Sequence, residues 1–208
     1  MGLIYNPSLI HPQKNESLPA LFKEAGTNVT VMVDDPIEAS MVLSLALNDH
    51  YNIDQSSALS ALTVDNFNKL AQNTRLVITN QPEHIITRKD FALGFQWSGD
   101  AITMAGNIPN LRLLFSPKTS YITSDLLGEL NNSRTTQCVA KILAGKSFLS
   151  AEENHTYYIS PYGGKTTSNN PIYLKFREKI LSEFSSLPWI VNIPPQKLAR
   201  ITRTWNLI

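Results

Sequence analysis

The stretch Phe91-Ala92-Leu93-Gly94-Phe95-Gln96-Trp97-Ser98-Gly99-Asp100-Ala101 decides the fold class of this chain. Its apolar first half predicts a buried strand over residues 91–97, and a Ser-Gly-Asp turn leads into a short helix predicted over residues 101–106. Ligands of open α/β sheets bind at the carboxyl ends of strands. An indole and a carboxylate at such a place suit a small organic cation, because a ring face and a carboxylate both attract positive charge. Two structural roles stay open: Trp97 in the core, and Asp100 as a helix cap.

A second junction of strand and helix lies earlier in the chain. The β-branched run Val29–Val33 predicts a buried strand, and the Asp-Asp-Pro that follows opens a helix predicted over residues 36–50. Asp35 suits the N-cap and Glu38 the third helical position, a pair worth about 1 kcal/mol to the helix. Capping and ligand binding are compatible, because a carboxylate has several acceptor sites. The positive end of the helix is expected to keep Asp35 and Glu38 ionised.

Strands and helices alternate along the rest of the chain. Residues 2–6 form a short apolar run, strands are predicted over 75–79, 111–115 and 121–127, and an extended crossing over 157–162. Helices are predicted over 17–24, 55–73, 82–86, 135–148, 171–184 and 195–207. This alternation predicts an α/β protein with a mainly parallel sheet flanked by helices on both faces.

The composition excludes several classes of protein. With 208 residues, 42% of them hydrophobic, the chain can bury one sizeable core or two small lobes. A net charge of +1 gives no field that would draw it to nucleic acid. No apolar run approaches the ~20 residues of a membrane span, and residues 1–6 lack the features of a signal peptide. The single cysteine, Cys138, lies in an apolar helical pattern and is predicted to be a small buried side chain.

No pattern indicates an enzyme, a metal site or a cofactor. The Gly-Gly-Lys-Thr run at residues 163–166 lacks the earlier glycine of a phosphate-binding loop, because Ile159 occupies that position. Ser98 lacks the flanking glycines of a nucleophile elbow. The histidines are scattered without the spacing of metal ligands. We therefore expect a binding protein with no catalytic residue, no cofactor and no metal.

Several pieces of the chain occur in an order known from one family of transport proteins. The most specific are Asp-Asp-Pro-Ile-Glu after a strand, at residues 34–38, and the Trp-Ser-Gly-Asp-Ala turn at residues 97–101. Residues 2–6, 110–117 and 157–161 match as well. The chain thereby resembles the polyamine-type (spermidine/putrescine) periplasmic solute-binding proteins of bacterial ABC importers, over nearly its whole length but less after Tyr162.

The resemblance implies a two-lobed, type II periplasmic-binding-protein fold with the ligand in the cleft between the lobes. The matches begin where the family chain first crosses into its second lobe, so the N-terminal part of the first lobe is expected to be missing. Residues 1–116 and 160–208 would form the second lobe, and residues 117–159 a fragment of the first. That fragment is expected to expose apolar surface, and three outcomes stay open for it: disorder, rearrangement, or a homodimer that covers the surface.

The resemblance also implies the chemistry of the site. In such receptors carboxylates hold the ammonium groups of the polyamine, and aromatic rings contact its methylenes. The candidate ligand-binding residues are Asp35, Glu38, Trp97, Asp100, Asp125 and Tyr121. The family usually has an aromatic residue two positions before Asp125, where this chain has Thr123 with Tyr121 nearby. A periplasmic location and an ABC permease as membrane partner follow from the resemblance, without cofactor or nucleic acid.

Two other functions stay open at this point. Ligand-sensing domains of transcription regulators share the fold at about this length, although they contain both whole lobes. A truncated interaction module would instead dimerise through residues 117–159 and bind no ligand.

Overall fold

The computed structural model describes residues 1–13, 15–47, 62–88, 90–124, 127–128, 131, 133–187 and 193–208. The strands are β1 (Gly2–Tyr5), β2 (Val29–Val33), β3 (Arg75–Thr79), β4 (Leu93–Gln96) and β5 (Arg112–Leu114). The helices are α1 (Leu18–Ala25), α2 (Pro36–Leu47), α3 (Val64–Ala71), α4 (Pro82–Ile86), α5 (Ser98–Asn107), α6 (Arg134–Leu143), α7 (Lys146–Thr156), α8 (Pro171–Glu183) and α9 (Pro195–Trp205). A 3-10 turn, Phe184–Ser186, follows α8. In these ranges no helix has both the length and the apolar character to cross a membrane.

The five strands of the described residues form one mixed sheet in the order β3-β2-β4-β1-β5. β2 pairs in parallel with β3 and with β4, whereas β1 pairs antiparallel with β4 and with β5. Four strands therefore run in one direction, so the prediction of a mainly parallel sheet is confirmed, with β1 as a reversed strand in the interior. The reversal places the start of β1 where the other strands end, since Gly2 pairs with Gln96 and Leu3 with Leu114. We call this end of the sheet the carboxyl edge.

Alternate residues of the strands face two separate cores, as the pleat of a sheet requires. Leu3 and Met32 belong to the core that includes α1 and α2, whereas Ile4 and Val31 belong to the core beneath α4 and α5. Every residue of α2 from 38 to 45 is buried, because α1, α3 and α9 all pack against this helix. The predicted helices on both faces are therefore present, and α2 is held as a rigid element with its N-terminus at the carboxyl edge.

Two predicted helices differ in the structure. The helix predicted over 135–148 is two helices, α6 and α7, because Gly145 interrupts it as the N-cap residue of α7. A Cβ at Gly145 would lie 3.1 Å from the carbonyl oxygens of Lys141 and Ile142, so a side chain would crowd this turn. α5 begins at Ser98, earlier than predicted. Residues 48–50 and 55–61 of two further predicted helices lie outside the described residues.

Two predictions around residues 117–159 were wrong in detail. Cys138 is exposed, because α6 has no buried residue, so its apolar pattern does not face a core. The strand predicted over 121–127 is reduced to a single bridge at residue 122 within the described part, and residues 125–126 lie outside it. The expected exposed apolar surface is present. It includes Leu127, Val139, Ile142 and Phe148.

Candidate functional site

Asp35 caps α2 at the carboxyl edge. Its Oδ1 accepts hydrogen bonds from the backbone nitrogens of Ile37, at 2.8 Å, and Glu38, at 2.9 Å. Oδ2 accepts no hydrogen bond from any described residue, and the side chain is only half-buried. The predicted capping role of Asp35 is therefore confirmed, and among the described residues it uses only Oδ1.

The carboxylate of Glu38 does not bond back to its helix but accepts from two aromatic side chains. The indole Nε1 of Trp97 donates to its Oε1 at 3.3 Å, and the hydroxyl of Tyr121 donates to its Oε2. Glu38 and Tyr121 are buried, and Trp97 is half-buried against the core. The structure thus brings together three of the predicted site residues from three segments: the start of α2, the end of β4 and the segment after β5.

Burial dominates the electrostatics of this cluster. It raises the pKa of Glu38, and the hydrogen bond from Tyr121, the charge of the Met1 amino group and the bond from Trp97 only partly oppose that rise. Burial also raises the pKa of Tyr121 well above its ordinary value, so the phenol stays protonated and remains a donor. The helix end was predicted to keep Glu38 ionised; burial acts against this and raises the pKa of its carboxyl instead. A carboxylate in this state is stabilised as an anion by any cation that approaches it.

The glycine of the Trp-Ser-Gly-Asp turn is required by packing. A Cβ at Gly99 would lie 2.0 Å from the carbonyl oxygen of Thr156 and 2.8 Å from the ring of Tyr158. The start of α5 therefore contacts the end of α7 and the crossing that follows it, with no room for a side chain between them. This contact fixes the orientation of the turn that carries Trp97.

Asp100 has a different hydrogen-bond partner from the residues of the Glu38 cluster. It is the third residue of α5, and the N-cap position belongs to Trp97, so the alternative of Asp100 as a cap is wrong. The hydroxyl of Tyr158 donates to Asp100 Oδ2 at 3.3 Å. Partial burial raises the pKa of Asp100, the bond from Tyr158 opposes this, and the charge of Glu83 adds to it. Asp125 lies outside the described residues.

The structure also pairs two residues that the sequence did not single out. The indole Nε1 of Trp205, at the end of α9, donates to Asp34 Oδ1 at 2.8 Å. Asp34 directly follows β2, so its position at a strand end was a usable signal. Trp205 gave no such signal, because 171 residues separate it from Asp34.

No group of three or more histidine, cysteine, aspartate or glutamate side chains in the described part of the chain is arranged to hold a metal ion. The convergent groups of the site are therefore carboxylates, indoles and a phenol.

Known structures resemble this chain in fold, although no protein-family model and no curated protein matches the sequence. The spermidine/putrescine ABC transporter substrate-binding protein of Streptococcus pneumoniae aligns with a TM-score of 0.58 and 14% identity over 99% of this chain and 66% of that chain. A Listeria monocytogenes protein assigned to spermidine/putrescine ABC transport aligns with a TM-score of 0.66 and 13% identity, over 99% and 65%. The chain has the periplasmic-binding-protein fold. A periplasmic thiamin-binding protein aligns too, with a TM-score of 0.51 and 14% identity, over 98% and 60%.

Within the periplasmic-binding-protein fold, this chain spans about two thirds of the length of the two polyamine-transport structures and 60% of the thiamin-binding one. Nearly all of the chain has a counterpart in each of them. The carboxyl edge, with its cluster of Glu38, Trp97 and Tyr121, therefore lies inside the portion that these proteins share with it.

Proposed function

We propose that this chain is the substrate-binding component, in its C-terminal portion, of a bacterial ABC importer for polyamines such as putrescine or spermidine. The observation that carries the proposal is the convergence of Glu38, Trp97 and Tyr121 at the carboxyl edge. An anionic carboxylate beside an indole suits an ammonium group with an attached methylene chain. The likeness of fold to polyamine-transport proteins supports the same ligand class.

Each residue of the proposed site has a distinct role. The ring of Trp97 is the wall for the methylenes, Glu38 supplies buried negative charge, and Tyr121 fixes the carboxylate by its hydroxyl. Asp35 offers its second oxygen to an ammonium group. Asp100, which bonds Tyr158, and Asp125 complete the set of proposed ligand-binding carboxylates.

The proposal includes the two lobes that the resemblance to polyamine-type solute-binding proteins implies. Residues 1–116 and 160–208 form the second lobe and residues 117–159 part of the first, with the ligand between them. Closure of the lobes on the ligand presents a receptor to an ABC permease in the membrane, and the location of such a receptor is periplasmic. Binding needs no catalytic residue and no cofactor.

Isothermal titration calorimetry with putrescine and spermidine at pH 7 tests the proposal. We expect saturable binding of one amine per chain. Asp35→Ser keeps a side chain that caps α2 but removes the charge, so we expect it to lower the affinity about tenfold while the fold is kept. Glu24→Gln, in α1, is the matched control for loss of a carboxylate outside the site. Absence of saturable heat with both amines for the wild-type chain overturns the proposal.

A second candidate function is dimerisation through α6, favoured by its exposed Val139 and Ile142. Arg134, Lys141 and Lys146 add positive charge, and residues 133–151 contain no acidic side chain, so two copies paired symmetrically would repel. Salt screens such repulsion. Light scattering at about 0.05 M and 0.5 M salt would therefore show more dimer at high salt, and a monomer at both concentrations excludes this candidate.

A further inference from the structure

Two pairs of indole and carboxylate flank the start of α2. Trp97 binds Glu38 through its Nε1, and Trp205 binds Asp34 in the same manner and at the shorter distance of 2.8 Å. Asp34 is exposed, and it lies one position before Asp35, the cap of the helix. The second pair therefore lies at the same edge of the sheet as the proposed amine site.

Packing on two sides holds Trp205 in place. Its ring meets that of Phe67 edge to face, with centroids 6.0 Å apart and an interplanar angle of 85°. Ile201, one turn earlier in α9, is buried in the core, and α9 packs along α2. The bond to Asp34 uses the edge of the indole, so it does not consume the π-faces, which are the part of the ring that attracts cations.

We propose that Asp34 and Trp205 form a second cation subsite, which takes the far ammonium group of a ligand whose near ammonium group lies at Glu38 and Trp97. This inference rests on the proposed function and adds two residues, Asp34 and Trp205, to its site. A ligand with two separated positive charges reaches both subsites, whereas a monoamine reaches only one. α9 thereby makes the site selective for diamines and longer polyamines.

The comparison of putrescine with butylamine tests the second subsite, because both have a four-carbon chain and only putrescine has two amino groups. We expect the wild-type chain to bind putrescine about tenfold more tightly than butylamine in calorimetry, or better. Asp34→Asn keeps an oxygen that accepts from the indole but removes the charge. Trp205→Phe keeps a ring against Phe67 but removes the N–H donor and the indole face. Each variant is expected to reduce the preference for putrescine to about twofold or less, with the affinity for butylamine unchanged.

Tyr162→Phe is the matched control, because it removes a hydrogen bond, to the carbonyl of Ala144, at another place in the chain. It is expected to keep the full preference for putrescine. If butylamine binds and the preference survives in both site variants, the second subsite is wrong and the proposed function stands. If the wild-type chain binds neither amine, both are wrong. Should Trp205→Phe fail to fold, as urea denaturation would show, Asp34→Asn alone decides.

Discussion

Arg177 Nε lies 2.6 Å from Glu153 Oε1, and this buried ion pair joins α8 to α7 on either side of the crossing. The pair is embedded in further hydrogen bonds. The hydroxyl of Tyr173 donates to the same carboxylate, the backbone nitrogen of Ser160 donates to Oε2 at 3.2 Å, and Arg177 Nη2 donates to the carbonyl of Gly164 at 2.8 Å. α7, Ser160 and Gly164 are therefore fastened to α8, which packs on α5 below the turn that carries Trp97.

Arg177→Met tests the importance of this pair for stability. Removing one partner leaves the Glu153 carboxylate buried without its cation, which in proteins costs about 3–5 kcal/mol. We expect a loss of that size in the free energy of unfolding, measured by urea denaturation. Lys175→Met, at an exposed position of the same helix, is the control and is expected to stay within about 0.5 kcal/mol of wild type. Equal stability of the two variants would contradict the prediction.

Gly99→Ala tests the close approach of α5 and α7. The added methyl group would lie 2.0 Å from the Thr156 carbonyl oxygen, so one of the two segments must move. We expect a loss of about 1–3 kcal/mol in urea denaturation, typical of overpacking. Gly106→Ala, in the same helix, meets nothing within 4 Å and is expected to stabilise by about 0.5–1 kcal/mol. A neutral Gly99→Ala would show that the contact is not maintained in solution.

Two variants of Asp35 separate its role as the cap of α2 from the charge that it brings to the site. Asp35→Ala leaves the backbone nitrogens of Ile37 and Glu38 without their acceptor, and we expect a loss of about 1 kcal/mol in the free energy of unfolding. Asp35→Ser restores an acceptor and is expected to recover most of that loss. Thermal denaturation of both variants checks this, and an alanine variant as stable as wild type would rule out the cap.

The raised pKa of Glu38 predicts a dependence of stability on pH. The folded protein binds this proton more tightly than the unfolded chain, so the contribution is fully present below the ordinary value of 4.5 and is lost as pH rises through the folded pKa. Glu38→Gln cannot lose that proton. We therefore expect its free energy of unfolding, relative to wild type, to be higher at pH 8 than at pH 4.

Urea denaturation of wild type and Glu38→Gln at the two pH values measures this change. Glu178→Gln, at an exposed position of α8, serves as control and is expected to show no such difference. If the free energy of unfolding of Glu38→Gln, relative to wild type, is instead lower at pH 8 than at pH 4, the carboxylate prefers its charged form in the folded protein.

The exposure of Cys138 predicts its reactivity. Because α6 has no buried residue, a thiol reagent should modify Cys138 in the folded protein at a rate within about tenfold of the rate in urea. The absorbance of the released thiolate from an aromatic disulfide reagent gives both rates. Modification that requires unfolding would mean that this face of α6 is covered in solution.

Local signals predicted much of the fold. The strands Val29–Val33 and Arg75–Thr79 and the helix Pro82–Ile86 have the predicted bounds, because β-branched runs and a proline at the first helical position act within a few residues. The reversal of β1 was beyond such signals. Its partners lie in β4 and β5, and a short apolar run does not record the direction in which it pairs.

In the site, too, local features were predictable from the sequence and long-range ones were not. The sequence placed Asp35, Glu38 and Trp97 at strand ends, which is a local property of the βα junctions. The pKa of Glu38 depends on its burial in the folded protein and on a hydrogen bond from Tyr121, 83 positions away, neither of which a local pattern records. The prediction that Cys138 is buried was wrong for a related reason. An amphipathic pattern shows that a helix has an apolar face but not that anything covers it.

The internal position of β1 constrains the order in which the molecule can assemble. Its hydrogen-bonding partners follow it by roughly ninety residues or more, so a growing or refolding chain carries Leu3 and Ile4 unpaired through most of that interval. The parallel pair of β2 and β3 closes a shorter loop and can form earlier. We therefore expect insertion of β1 between β4 and β5 to be a late step of folding, because it closes the longest loops of the described sheet.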